Sequence, residues 1–100
     1  MTRPIERIAS PSVPEPAGHY AQGVAWHDLV FVSGQLGILP DGSHTVDRPF
    51  EAQARQALAN LLAILAEAGC GPERVLKVTT YLVGLDNWPA FNRIYAESFG

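Results

Sequence analysis

One long helical pattern set between two apolar, β-branched runs constrains this chain more than anything else in it. Phe50, Ala54, Ala57, Leu58, Leu61, Leu62 and Leu65 recur at three- and four-residue spacings, which gives a helix over 49–68 one apolar face. Gln53, Gln56, Asn60 and Glu67 fall largely opposite. Pro49 suits a first helical turn. Gly69 suits the residue just past the helix, and Gly71-Pro72 prevents its continuation. Before the helix stands LVFVSGQL (29–36), and after it VLKVTTYLVG (75–84). Both read as central strands, apolar on two faces and covered on both sides. A strand–helix–strand order of this kind makes the two strands parallel through a right-handed crossover, though not necessarily neighbours.

The remaining elements are shorter. IERIAS (5–10) suits a first strand, and PSVPEPAG, with Pro11, Pro14 and Pro16, an extended loop. AQGVAW (21–26) pairs naturally with 29–36 through a hairpin at His27-Asp28. Asp41-Gly42 signals a turn. Asp86 or Asn87 caps a second helix with Pro89 in its first turn, and Phe91, Ile94, Tyr95 and Phe99 form its buried face. The 100 residues suit a single domain, 1–100, with a modest core that a subunit interface would help.

Charge and composition remove several function classes. The net charge is −3, and the seven basic residues are scattered without a run or stripe, which argues against nucleic acid as a partner. A lone cysteine, Cys70, excludes an internal disulfide and a cysteine-based zinc site, and fits a reducing compartment. It reads as a small loop residue. His19, His27 and His44 have no ligand spacing, so no metal is expected. The N-terminus lacks a signal-peptide apolar region, and ALANLLAILAEAG is too short and amphipathic to cross a bilayer. The expectation is a cytoplasmic protein that does not act at a membrane.

Several segments, in order, resemble the RidA/YjgF family of reactive-intermediate deaminases. GHYAQG (18–23) is similar to G-P-Y-x-Q, and LVFVSGQLGILPDG (29–42) to the family's apolar strand, S-G-Q and Pro/Gly turn. EAQARQALANLLAILAEAG (51–69) is similar to A-Q-x-R-Q-x-L-x-N with its E-A-G helix end. VLKVTTYLVGLDNWPAFNRIYAESFG (75–100) is similar to the V-K-x-T strand and the helix carrying N-x-x-Y. S-G-Q alone occurs anywhere; the specificity lies in the order and spacing of the whole set, from about residue 17 onward. His19 departs from the family's Pro and puts the loop holding Tyr20 in question.

The resemblance implies an α+β fold: a chorismate-mutase-like mixed β-sheet packed against two helices, β-β-β-α-β-α here. The family's pattern continues with P-A-R-x-x-V and a final strand carrying a Glu. In archetypal members that Arg clamps the substrate carboxylate and the Glu positions water; neither falls within these 100 residues. The family's last strand lies between the equivalents of 29–36 and 75–84. Without it those two strands do not pair, and the expectation is a fragment of a longer product or another segment filling the gap.

The implied chemistry is hydrolysis of 2-aminoacrylate-like enamines and their imine tautomers to 2-keto acids and ammonia. An imine carbon is already electrophilic, so no cofactor is implied. The resemblance places Tyr20, Ser33 and Asn92 at catalytic positions and Gly34, Gln35 and Phe91 at substrate-binding ones. It also implies a homotrimer with sites between subunits and a small-molecule imine or enamine as the other partner. Each residue has a plainer role beside this one. Tyr20 could be a packed ring with a locally bonded hydroxyl, Ser33 a strand-end hydrogen bond, Gly34 a point of close backbone approach, Gln35 a support, Asn92 a surface amide and Phe91 core. No Ser-His-acid pattern makes Ser33 a nucleophile. Arg55 and Arg93 are the substitutes available for the carboxylate clamp, and Lys77, the single lysine, is read as a solvated strand residue. A non-catalytic ligand-binding or regulatory member of the same family, and a truncated product without function, are the competing readings.

Overall fold

The computed structural model describes residues 4–99. Three short strands, β1 (Glu6–Ile8), β2 (Gly23–Trp26) and β3 (Leu29–Val32), form one antiparallel sheet in the order β1-β2-β3. The β2–β3 register pairs Gly23 with Val32 and Trp26 with Leu29, leaving His27 and Asp28 as a two-residue turn. His27 takes a positive φ of 53°, as a tight hairpin between right-twisted strands demands.

Two helices follow: α1 (Phe50–Glu67) and α2 (Trp88–Phe99). Pro49 stands directly before α1, and Gly69, at φ 80°, ends it in the left-handed conformation that a residue without Cβ adopts at least cost. A 3₁₀ turn, Leu85–Asn87, leads into α2 with Pro89 in its first turn. Asn87 does not serve as a side-chain cap there; its Nδ2 donates to the Val83 carbonyl at 2.9 Å.

α1 is the centre of the packing. On one flank Ala54 and Leu58 meet Phe91 and Ile94 of α2, with Phe50, Leu61, Leu82, Tyr95 and Phe99 around them. On the other, Ile64 meets Ile8 and Val13, with Ala25, Val30 and Val32 of the sheet. Serving two neighbours widens the buried arc beyond a single stripe. Asn60, placed by its spacing on the polar side, is buried at 1% exposure, and Ile64 is fully buried one turn further on.

Two expectations about strands need correction. Residues 75–84 form no ladder; the segment is extended and unpaired. β-branched composition favours extension, but a strand needs a partner edge, and none lies beside this segment among the described residues. Leu76, Tyr81 and Val83 are at least 90% exposed, while Leu82 turns into the α1–α2 cluster. Likewise β3 is shorter than 29–36, lies at the sheet edge, and leaves Leu29 and Phe31 exposed, so it is covered on one face rather than two.

The extension of 75–84 still has a cause. Arg55 binds Glu97 and Arg93 binds Glu51, both across 42 positions, so α1 and α2 run parallel. The connection must therefore return the full length of α1. That helix has 18 residues, about 27 Å. An extended stretch such as 75–84 reaches about 33 Å, enough to do it.

Candidate functional site

The open end of the β2–β3 hairpin gathers most of the candidate residues. Past the last ladder pair, the Ser33 N–H donates to the Gln22 carbonyl at 3.0 Å, and the Ser33 hydroxyl donates to the Ala21 carbonyl at 2.6 Å. The side chain thus extends the pairing by one step and fixes the segment that follows Tyr20. Tyr20 is half exposed, and its ring lies back against Gly18. Gly34 is exposed with open space on its Cβ side, so its backbone can be approached closely. Gln35 folds back, its Nε2 donating to the Ser33 carbonyl at 3.0 Å, the supporting position rather than a free amide.

α2 places the other two candidates apart from each other. Phe91 is buried against Ala54, Leu58 and Ile94 and so belongs to the core, while Asn92, the next residue around the helix, is exposed. Two shallow hollows stand out among the described residues. One is lined by Pro4, Glu6, Ala25 and His27, the other by residues of α1 and α2 around Arg55 and Glu97. Neither includes Tyr20, Ser33, Gly34, Gln35 or Asn92. Tyr20 and Gly34 are exposed and Ser33 and Gln35 part-buried, so these four form an open ledge at the hairpin end, while Asn92 lies exposed on α2.

The two arginine candidates are occupied. Arg55 makes a two-point contact with the Glu97 carboxylate, and Arg93 Nη2 lies 2.9 Å from Glu51 Oε1. The Arg55 hydrogen bond holds the Glu97 carboxyl below its usual range, and Glu97 raises Arg55 in turn. Asp41 is also lowered, first by the Ser43 hydroxyl and then by the Ser43 N–H, in the turn after the ledge. Among the described residues no cluster of three His, Cys, Asp or Glu side chains could hold a metal ion, and no helix is long and apolar enough to cross a membrane.

Residue spacing did not reveal the buried side chains behind the ledge: Gln22, Thr45 and Asn60. The one available signal was that Gln22 and Asn60 stand in the motifs YAQ and LAN.

A three-stranded antiparallel sheet backed by two parallel helices, with a Tyr and an S-G-Q strand end at its open edge, is the small α+β fold of the L-PSP and chorismate-mutase-like structures. The family model described as Endoribonuclease L-PSP matches residues 10–100. A RutC family protein of Pyrococcus abyssi is 36% identical over 95 residues, covering 95% of this chain and 75% of that protein. The 2-iminobutanoate/2-iminopropanoate deaminase of Capra hircus is 34% identical over 100 residues, covering 99% of this chain and 73% of that protein. The crystal structure of RidA from the Antarctic bacterium Psychrobacter sp. superimposes with a TM-score of 0.89 at 29% identity, covering 95% of this chain and 76% of that one. The chain belongs to the RidA/YjgF (L-PSP) family.

Proposed function

We propose that this chain is a subunit of an enamine/imine deaminase that hydrolyses 2-aminoacrylate-like intermediates to 2-keto acids and ammonia. The observation that carries the reading is the ledge itself. Ser33 pins the strand end, Tyr20 stands half exposed beside it, and Gly34 leaves the backbone open to a small ligand. Family membership and the deaminase name of a relative 34% identical support it.

The chemistry asks little of the protein. Tautomerisation protonates the enamine's terminal carbon and turns the carbon that bears nitrogen into an electrophilic C=N centre; water adds there, and ammonia leaves from the carbinolamine. A phenol such as Tyr20 can relay a proton between substrate and water. The substrate carboxylate needs a guanidinium, and both Arg55 and Arg93 are engaged with glutamates. The proposal therefore takes the clamp from outside residues 4–99, in the place the resemblance gives to the P-A-R segment. An open ledge also fits a homotrimer in which a neighbouring copy closes each site. The family description names a ribonuclease, but the dispersed basic residues and net charge of −3 provide no phosphate track.

The test is ammonia release from freshly generated 2-aminoacrylate, with intact mass measured on the same natively produced sample. Release above the buffer rate supports the deaminase. No release, with saturable binding of a small 2-keto acid, moves the reading to a ligand-binding member of the family.

A further inference from the structure

We infer that Asn60 is a positioning residue that holds the backbone behind the ledge, a role that rests on the deaminase reading for its effect on turnover. Its Nδ2 donates to two carbonyls, Leu36 at 3.1 Å and Ile38 at 2.8 Å, and its Oδ1 accepts from Gln56 Nε2 at 2.9 Å. The carbonyl between them, that of Gly37, accepts from the Thr45 hydroxyl. Three consecutive carbonyls are thus held by side chains from α1 and from the loop before it. Gly37 is fixed sterically as well: a Cβ there would lie 2.7 Å from Thr45 Oγ1 and 2.8 Å from the Gln53 carbonyl oxygen.

The β2–β3 ladder ends at Val32, so 34–37 has no strand pairing of its own, and Ile38 makes a single isolated bridge to His44. Side-chain donors replace it. Neither helix propensity nor burial favours an amide at position 60, because Asn is a poor interior helix residue and a buried amide is costly unless paired. The carbonyl pair accounts for both. Ser33, Gly34 and Gln35 directly precede the clamped stretch, and a site built on backbone works only if that backbone is held closely in place.

The experiment compares wild type with Asn60→Leu, which keeps bulk and removes the donors. It follows backbone amide exchange residue by residue together with kcat and KM for ammonia release. Exchange should quicken at Ser33, Ile38 and Leu39 while α2 stays protected. On the scale that misplacement of a reacting group entails, kcat should fall on the order of tenfold to a hundredfold, with a smaller change in KM. Uniformly faster exchange, or local loosening with full kcat, overturns the inference. Should Asn60→Leu fail to fold, Thr45→Val carries the same readouts. Wild type without ammonia release would sink the deaminase reading, and the exchange pattern would then decide whether Asn60 holds this backbone.

Discussion

Gln22 accepts the backbone N–H of Ser10 on its Oε1 at 2.6 Å, and so ties the start of the proline-rich loop to the strand that follows it. Its Nε2 reaches the carbonyls of Ser10, Val13 and Pro14 at 3.3, 3.4 and 3.1 Å. Prolines at 11, 14 and 16 remove N–H donors from this loop; the Ser10 carbonyl also accepts the Val13 N–H at 3.3 Å, while those of Val13 and Pro14 depend on the Gln22 amide. Gln22→Leu leaves the buried Ser10 N–H and the Val13 and Pro14 carbonyls without this partner, at a cost of about 1–3 kcal/mol. Urea unfolding of the variant measures it, and an unchanged midpoint would show that water serves the loop as well.

Gly37 and Gly34 should respond oppositely to a methyl group. Gly37→Ala drives a Cβ against Thr45 and the Gln53 backbone, and overpacking of this kind costs about 1–3 kcal/mol. Gly34→Ala meets open space and should leave thermal stability within about 0.5 kcal/mol. Its effect belongs in substrate affinity. Paired melting curves and KM values separate the two.

Tyr20→Phe should leave the melting temperature unchanged, because the ring stays half exposed. Loss of a proton relay should lower kcat by roughly a hundredfold. Full turnover in the variant would reduce Tyr20 to a wall of the site.

Lys77 sits in an extended segment without ladder hydrogen bonds and is exposed. Brief trypsin treatment should cut after Lys77 before it cuts within α1. Resistance at Lys77 would mean that 75–84 is paired in solution, by another segment or another copy.

The Glu97 carboxyl lies below its ordinary range because Arg55 donates to it. A depressed folded value means the pair's stabilisation is present above the ordinary carboxylate range and is lost as pH falls through the folded value. Glu97→Gln should therefore separate from wild type near neutrality and converge with it in acid. Both side chains are about half exposed, so added salt should narrow the gap. Thermal midpoints across pH provide the check.

Much of this was legible in the chain. The limits of α1, the His27-Asp28 turn and the start of α2 follow from Pro, Gly and spacing, which act locally. Asn60 falls on the polar side by spacing yet is buried, because a single-stripe reading assumes one neighbour, whereas α1 packs against α2 on one side and the sheet on the other. Residues 75–84 carry every local mark of a strand, but pairing is decided by what lies alongside, which composition cannot encode. On the ledge Tyr20, Ser33, Gly34 and Gln35 lie together, and Phe91 lies in the core, on the buried face that its spacing assigns and where it packs α2 onto α1.

The two ion pairs between the helices are reciprocal: α1 offers Glu51 and then Arg55, and α2 offers Arg93 and then Glu97. Sliding one helix past the other by a single turn would set Arg55 against Arg93, or Glu51 against Glu97. The seam beneath, Ala54 and Leu58 against Phe91 and Ile94, holds that setting by packing, and the half-exposed charges add to it by opposing the slide. Their contribution is thus a penalty on misalignment. It works as a vernier that selects one axial setting of α2, and with it the height at which Asn92 is presented.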